Sequence, residues 1–280
     1  MRKQEIFYHY CSVDVLLSIL KNDELRLSDI EKSNDYTERK WMMSKIKEEF
    51  INIASKNNVI EEKEKLIKVF CRLGNDFEIL ANIYATCFSK DGDLLSQWRA
   101  YAQDGSGVAI GFSAELLKKV NDFKYGIKFL PIIYNSEKQK EYKEIQAKKI
   151  LDLFLQGDDL FHAMSEVFTN DLENLCCYKN PAFYEEKEWR LCISLSPECR
   201  RSIKAPFDSF VMSEIKLYSN QKRIVTYLDL NYTKVKNEII KEIILGPKCE
   251  ISEKDMHQIL FILGYETADI EIKKSKATYL

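Results

Sequence analysis

The sequence lacks the short motifs that mark the common catalytic classes. It contains no G-x-S-x-G elbow, no Walker A motif and no G-x-G-x-x-G loop. A serine hydrolase of the elbow type, a P-loop and a dinucleotide-binding βαβ unit are therefore not indicated. Gly105-Ser106-Gly107 is only a weak loop signal.

Histidine is scarce, and the spacings typical of metal sites are missing. The chain has 3 histidines, and its 8 cysteines include no C-x-x-C pair, so no zinc site of ordinary spacing is indicated. Most cysteines, such as Cys11, Cys87 and Cys192, lie in apolar runs, where free cysteine behaves as a small hydrophobic residue. We therefore expect reduced thiols, no bound metal and a cytoplasmic location.

Long hydrophobic runs and an excess of charge of one sign are also missing. No apolar stretch approaches the roughly 20 residues that span a bilayer, and the first residues show no signal-peptide pattern. The net charge of −2 gives no electrostatic argument for non-specific binding to nucleic acid or membranes. A chain of 280 residues that is 45% hydrophobic does have enough apolar content for a sizeable core.

The most informative stretch that the sequence does contain is an acidic entry into an apolar strand. Glu185-Glu186-Lys187-Glu188-Trp189-Arg190 leads directly into Leu191-Cys192-Ile193-Ser194-Leu195. Because residues two apart on a strand share a face, Glu186, Glu188 and Arg190 would project together. A solvated loop with a surface ion pair is the simpler interpretation. The large, directional Trp189 and Arg190 beside the acids favour a functional site.

Strand and helix patterns alternate along the chain without internal repeats or low-complexity linkers. Strands are predicted at 6–11, 25–28, 85–89, 108–112, 127–134, 188–195, 215–218, 223–230, 239–245 and 269–272. They predict an α+β fold with a mixed, mostly antiparallel sheet. We predict one domain over residues 1–280, with helical insertions at about 37–83 and 136–178.

Two further features each allow a structural and a functional interpretation. His9 lies mid-strand between two tyrosines, as either a hydrogen-bonded core histidine or a functional one. Trp98 and Tyr101 share a helix face, where they could form part of the core or a stacking surface for a nicotinamide or nucleobase ring.

A Mg²⁺-dependent nuclease is also chemically possible, although its acids have no recognisable spacing. Those acids are Asp35, Glu38 and either Glu186 or Glu188.

Six short motifs, in order, resemble those of a large, uncharacterised bacterial family of unknown function. The first is a His-Tyr-x-Ser-like opening, in which Cys11 replaces the usual threonine. The motifs are Tyr8-His9-Tyr10-Cys11-Ser12, Asn34-Asp35, Cys87-Phe88-Ser89 with its tryptophan helix, Gly107 to Phe112, Glu186 to Arg190, and Ile243 to Pro247.

The order of a histidine strand, a serine-ended strand and a late glutamate strand also resembles the ADP-ribosyltransferase superfamily, whose split sheet binds NAD. The resemblance implies that His9 anchors NAD, that Ser89 ends the middle strand and that Glu188 is catalytic. Glu186 would steer the acceptor. The residues predicted to bind NAD are His9, Tyr10, Ser12, Ser89, Trp98, Tyr101 and Arg190.

The implied function is an NAD-consuming ADP-ribosyltransferase or NAD glycohydrolase, with NAD as substrate and no metal. The acceptor would be protein, nucleic acid, a small molecule or water. A bacterial toxin or anti-phage defence effector, with an antitoxin or defence-system partner, is the biology that the resemblance suggests. The alternatives are a non-catalytic nucleotide- or ligand-sensing module and the metal-dependent nuclease.

Overall fold

A computed structural model describes residues 4–30, 38–56, 82–121, 126–195, 205–207, 209–219 and 223–279. Twelve strands form one sheet within these residues. The strands are β1 Ile6–Cys11, β2 Glu24–Asp29, β3 Asn82–Ser89, β4 Val108–Ser113, β5 Ile127–Pro131, β6 Glu188–Leu195, β7 Ala205–Phe207, β8 Phe210–Met212, β9 Lys216–Ser219, β10 Ile224–Asn231, β11 Ile240–Leu245 and β12 Glu271–Lys274.

Nine α-helices lie in the described ranges. They are α1 Val13–Asn22, α2 Glu38–Lys56, α3 Leu95–Tyr101, α4 Ala114–Lys119, α5 Ser136–Leu155, α6 Leu160–Thr169, α7 Leu172–Leu175, α8 Lys236–Ile239 and α9 Glu253–Ile262. No described helix combines the length and the apolar character that crossing a bilayer requires. The fold is α+β with a mixed sheet, in which β11 and β12 pair in parallel while the other ladders are antiparallel.

The sheet divides at β3. One edge of this strand pairs along its whole length with β6, from Asn82 opposite Leu195 to Ser89 opposite Glu188. The other edge pairs with β2 at Tyr84 and Ala85 and with β1 only at Ser89. Within the described part of the chain, residues 86–88 of β3 have no strand partner on that second side, because β1 and β2 diverge there.

Each face of the sheet is covered by its own helices. Helices α1, α4 and α9 pack on one face in the largest core, which includes Phe7, Phe88 and Leu191. On the other face, α2, α5, α6 and α7 form a second core that reaches the sheet at Ala85 and Cys192. A third, smaller core packs Trp98 of α3 on β1, β4 and β11.

The strand and helix predictions are largely confirmed, with corrections at the ends. β1 and β6 begin and end at the predicted residues. The predicted strand at 127–134 ends at Pro131, and the predicted helical insertion at 136–178 contains three helices. In the 37–83 insertion, α2 is confirmed, residues 82 and 83 belong to β3, and residues 57–81 lie outside the described ranges. The short strands β7 and β8 were not predicted.

Candidate active site

Strand β6 carries Glu188 and Arg190 on the face that the second core covers. Side chains alternate along a strand, so Glu188 and Arg190 share the face of Cys192, which belongs to that core. Trp189 and Leu191 point to the opposite face, into the largest core. The charges therefore lie where the strand emerges from beneath the helices α5 to α7.

Glu188 and Arg190 form a buried, two-point ion pair. Arg190 Nε donates to Glu188 Oε1 at 2.6 Å and Arg190 Nη2 donates to Oε2 at 3.1 Å. The side chains are only 8% and 5% exposed. Arg190 Nη1 also donates to the carbonyl of Cys176 at 2.8 Å. Bidentate geometry is the favoured pairing of arginine and carboxylate, and it fixes both side chains.

Lys179 joins this pair to Glu186. Its ammonium lies 2.7 Å from Glu186 Oε2 and 3.3 Å from Glu188 Oε2, and the lysine side chain is 5% exposed. The four groups therefore form one network of two acids and two bases. Glu186 is the more accessible acid, with 13% of its side chain exposed.

The two carboxylates have pKa values that are displaced in opposite directions. Burial alone would raise the pKa of Glu188, but the charges of Arg190 and Lys179 outweigh it and hold the pKa at about 2. Burial raises the pKa of Glu186 above its ordinary range, against the opposing effect of Lys179. One acid therefore stays ionised at all moderate pH values, while the other takes up a proton more readily.

Two tyrosines border the network. The Tyr101 hydroxyl lies 3.5 Å from Glu186 Oε1, and Tyr101 is 47% exposed. Tyr134 accepts a hydrogen bond from the amide of Glu188 at 3.2 Å. Burial and the neighbouring glutamates raise the pKa of both phenols, so both remain neutral. Tyr101 is therefore a half-exposed aromatic side chain beside a carboxylate.

Tyr101 and Arg190 lie beside the glutamates, whereas the side chains of Tyr10 and Ser89 form hydrogen bonds with backbone groups. Ser89 is buried; its hydroxyl donates to the carbonyl of Glu186 at 2.7 Å and accepts from the amide of Asp91 at 3.1 Å. Tyr10 donates to the carbonyl of Asp91 at 2.9 Å and accepts from the amide of Leu94. Both side chains fix the turn that follows β3.

Trp98 and Ser12 also have structural positions. Trp98 has no exposed surface, and its indole donates to Asp93 at 2.8 Å. The structure therefore contradicts ligand stacking by Trp98, because its ring is enclosed by the third core. Ser12 accepts from the amide of Val15 at 3.2 Å and caps α1.

His9 does not join the carboxylates. His9 shares one face of β1 with Phe7 and Cys11, which belong to the largest core. This face is opposite to the one that carries Glu188. Its Nδ1 lies 2.9 Å from the carbonyl of Cys87, where β1 diverges from β3. Burial lowers the pKa of the imidazole, which favours a neutral ring at the split in the sheet.

The acids of the predicted nuclease are not assembled in the described residues. Asp35 and the side chain of Glu38 lie outside the described part of the chain. Across the residues that are described, no group of three or more histidine, cysteine, aspartate and glutamate side chains is arranged to hold a metal ion. The acids that are visible, Glu186 and Glu188, contact cationic side chains.

Lys179 was not predicted from the sequence. It stands seven residues before Glu186, at the end of a segment with a helical pattern. A lysine there is ordinarily a solvated side chain. Its burial between two acids depends on the fold, and the sequence carries no local signal for it.

Residues 97–191 match the sequence model of a family described as "Protein of unknown function (DUF2971)". This part of the chain is similar to that uncharacterised family. The prediction of a family of unknown function is confirmed for this segment, which covers about a third of the chain and includes the four charged residues of the network. No curated protein and no solved structure matches the chain.

Proposed function

We propose that the network around Glu186 and Glu188 is the catalytic centre of an NAD-consuming enzyme, an ADP-ribosyltransferase or an NAD glycohydrolase. The observation that carries the proposal is the pair of adjacent carboxylates with oppositely displaced pKa values. Such pairs divide the roles of permanent charge and proton acceptor in enzymes that cleave glycosidic bonds.

The chemistry follows from the bond that must break. When the bond between ribose C1′ and the nicotinamide nitrogen cleaves, its electron pair neutralises the pyridinium, and positive charge develops on the ribose. Glu186, the more accessible acid, is placed to stabilise that charge. It then accepts the proton of the water or acceptor group that attacks C1′, for which a raised pKa suits a general base.

Glu188 has a supporting part in this proposal. It is bound at two points by Arg190, and it also contacts Lys179. We assign it the role of fixed negative charge that orders both cations. This refines the prediction that Glu188 itself meets the substrate, since Glu186 is the acid with the better access.

The surroundings support an NAD site. Tyr101 is half-exposed and its hydroxyl lies 3.5 Å from Glu186, so nicotinamide could stack on its ring beside the carboxylate. The divergence of β1 and β2 at β3 also fits the split sheet of the ADP-ribosyltransferase-like fold that we propose. His9 would then act at that split through its carbonyl contact, and not beside the glutamates.

The cellular role that we attach to this activity is that of a toxin or an anti-phage defence effector. Depletion of NAD or modification of a macromolecule would arrest growth, and such an effector needs an antitoxin or a defence-system partner. The acceptor of ADP-ribose is part of the same proposal: a macromolecule if turnover requires cell lysate, and water if it does not.

A second candidate is a ligand-sensing module that binds NAD without turnover. The observation that favours it is the occupation of both Glu188 oxygens by cationic donors. A fully paired network of this kind can serve recognition alone. This candidate predicts NAD binding by calorimetry with no release of nicotinamide.

The test is nicotinamide release from NAD by the purified protein, with and without cell lysate. Glu186→Gln and Glu188→Gln keep the side-chain shape and remove the charge. Glu186→Gln should lower the rate about 10²–10⁴-fold, which is the usual contribution of a positioned acid or base. Glu188→Gln should also lower the rate, because the fixed charge that orders Lys179 and Arg190 is lost. Glu185→Gln is the matched control, because Glu185 is exposed and adjacent to the site.

The outcomes separate the candidates. Release by the wild type and by Glu185→Gln, with loss in the two site variants, supports the enzyme. Binding of NAD without release supports the sensing module. If the wild type neither binds nor consumes NAD, both candidates fail.

A further inference from the structure

Lys179 is a deeply buried lysine between two acids. Only 5% of its side chain is exposed, and its ammonium lies 2.7 Å from Glu186 and 3.3 Å from Glu188. An isolated ammonium in this position would be costly to bury, so the lysine depends on the two carboxylates. The carboxylates depend equally on the lysine, because like charges repel at this separation.

The backbone carbonyl of Lys179 accepts a hydrogen bond from a side chain of helix α5. The side-chain amide of Gln139, at the start of α5, donates to the carbonyls of Lys179 at 2.7 Å and Ile133 at 3.0 Å. The Gln139 carbonyl oxygen accepts from the indole of Trp41 in α2 at 3.3 Å. Gln139 is itself only 4% exposed. A chain of hydrogen bonds therefore leads from the first helical insertion through the second to the lysine.

We propose that Lys179 is a positioning residue that holds Glu186 beside Glu188 and keeps both carboxylates ionised, and that the two helical insertions serve to place it. The inference rests on the proposed function, because it assigns Lys179 to the same catalytic centre. It gives the helices α2 and α5 a role in the site that their own sequence does not show.

The electrostatic surroundings of Glu186 make the effect of Lys179 measurable. Of the groups near Glu186, Lys179 and Arg190 lower its pKa, whereas burial and Glu188 raise it. Removal of the lysine charge must therefore raise the pKa of Glu186 further. The charged and titratable groups near Glu186 in the described residues include Lys179, Arg190, Glu188, Tyr101 and Tyr134, with the Cys87 thiol beside Glu188 and Tyr101.

The experiment is an NMR titration of the side-chain carboxyl carbons in protein labelled with ¹³C-glutamate. The Glu186 signal is identified by its absence in Glu186→Gln. In Lys179→Met the Glu186 midpoint should rise by about one pH unit or more, as expected for the loss of an opposite charge within hydrogen-bonding distance. Lys179→Arg should keep the midpoint close to that of the wild type. Lys140→Met, at an exposed lysine next to Gln139, is the control and should leave the midpoint unchanged.

Gln139→Leu tests the placement of the lysine without removing its charge, and it decides the matter if Lys179→Met does not fold. It should raise the Glu186 midpoint in the same direction by a smaller amount. An unchanged midpoint in Lys179→Met, or in Gln139→Leu where the first variant is unfolded, would overturn the proposal. This readout needs no turnover, so it stands apart from nicotinamide release: inactive wild type defeats the proposed function, and an unmoved midpoint defeats the role of Lys179.

Discussion

Glu188 shows how a single buried carboxylate connects the local charge network to the stability of the whole chain. Its pKa is lowered from an ordinary value of 4.5 to about 2, although burial acts in the opposite direction. A carboxyl whose pKa is lower in the folded state stabilises the fold fully above its unfolded pKa. That stabilisation is lost as the pH falls through the folded pKa.

We predict that Glu188 contributes on the order of 3 kcal/mol to the free energy of unfolding at neutral pH. This contribution should disappear between about pH 5 and pH 2, across the interval between the two pKa values. Urea unfolding at a series of pH values measures it. The loss over this interval should be steeper in the wild type and in Glu185→Gln than in Glu188→Gln. Equal pH dependence in all three proteins would contradict a paired, ionised Glu188.

At the residue scale, the sequence predicted the two acids and Arg190 but not Lys179. Glu188 and Arg190 are two apart on β6, so their common side follows from alternation alone. Alternation was expected to place Glu186 with them, but Glu186 precedes the strand, at the end of a 3-10 helix over Pro181–Glu186, and it joins the network through Lys179. Lys179 reaches them from another segment, and its position depends on Gln139 and Trp41. Contacts between distant segments leave no periodic signal, which is why the lysine could not be predicted.

At the scale of elements, end signals determine where helices begin. Ser12 follows β1 and caps α1 through the amide of Val15, and Ser113 caps α4 through the amide of Leu116 in the same way. In both cases the serine oxygen accepts a hydrogen bond from an amide that has no partner inside the helix. A serine directly before a helical apolar pattern predicts such a start, and both helices follow that local rule.

Ser12→Ala separates capping from cofactor binding. Loss of the cap should lower the free energy of unfolding by about 0.5–2 kcal/mol. NAD affinity should not change, because the Ser12 oxygen is already used by the Val15 amide. Urea unfolding and calorimetric titration with NAD measure the two effects. Wild-type stability with weaker NAD binding would restore Ser12 to the binding site.

Other element boundaries depend on the rest of the fold. The predicted strand at 127–134 was too long: β5 ends at Pro131, and Ile132 donates its amide to the Glu188 carbonyl at 2.9 Å. An aspartate just before a helical pattern is typical of an N-cap, but the Asp93 carboxylate accepts from the Trp98 indole and the Lys276 amide and does not cap α3. Partners from elsewhere in the chain override the local preference in each case.

At the scale of the molecule, the site lies on one face of the sheet, between the helices of the second core and helix α3 of the third core. The helices α5 to α7 cover β6 up to Cys192, and α3 packs beyond them on β1 and β4. Glu188 and Glu186 lie past the end of the second core, and Tyr101 approaches them from α3. This arrangement places the polar network of Lys179, Glu186, Glu188 and Arg190 between two apolar layers.

The class of fold was predictable, whereas the division of the sheet was not. Strand spacing and alternation indicated a mixed, mostly antiparallel sheet with helical insertions, and the structure confirms that description. The divergence of β1 and β2 along β3 depends on pairings between strands about 60 to 80 residues apart in sequence. A single domain over residues 1–280 stays a prediction.

The most direct test of the central claim is whether NAD reaches Glu186. The claim predicts that NAD, added to wild-type protein labelled with ¹³C-glutamate, shifts the side-chain signal of Glu186 in a saturable manner and leaves that of exposed Glu185 unchanged. Glu185→Gln supplies the assignment of the second signal. An unmoved Glu186 signal at saturating NAD would contradict the claim that these glutamates form an NAD site.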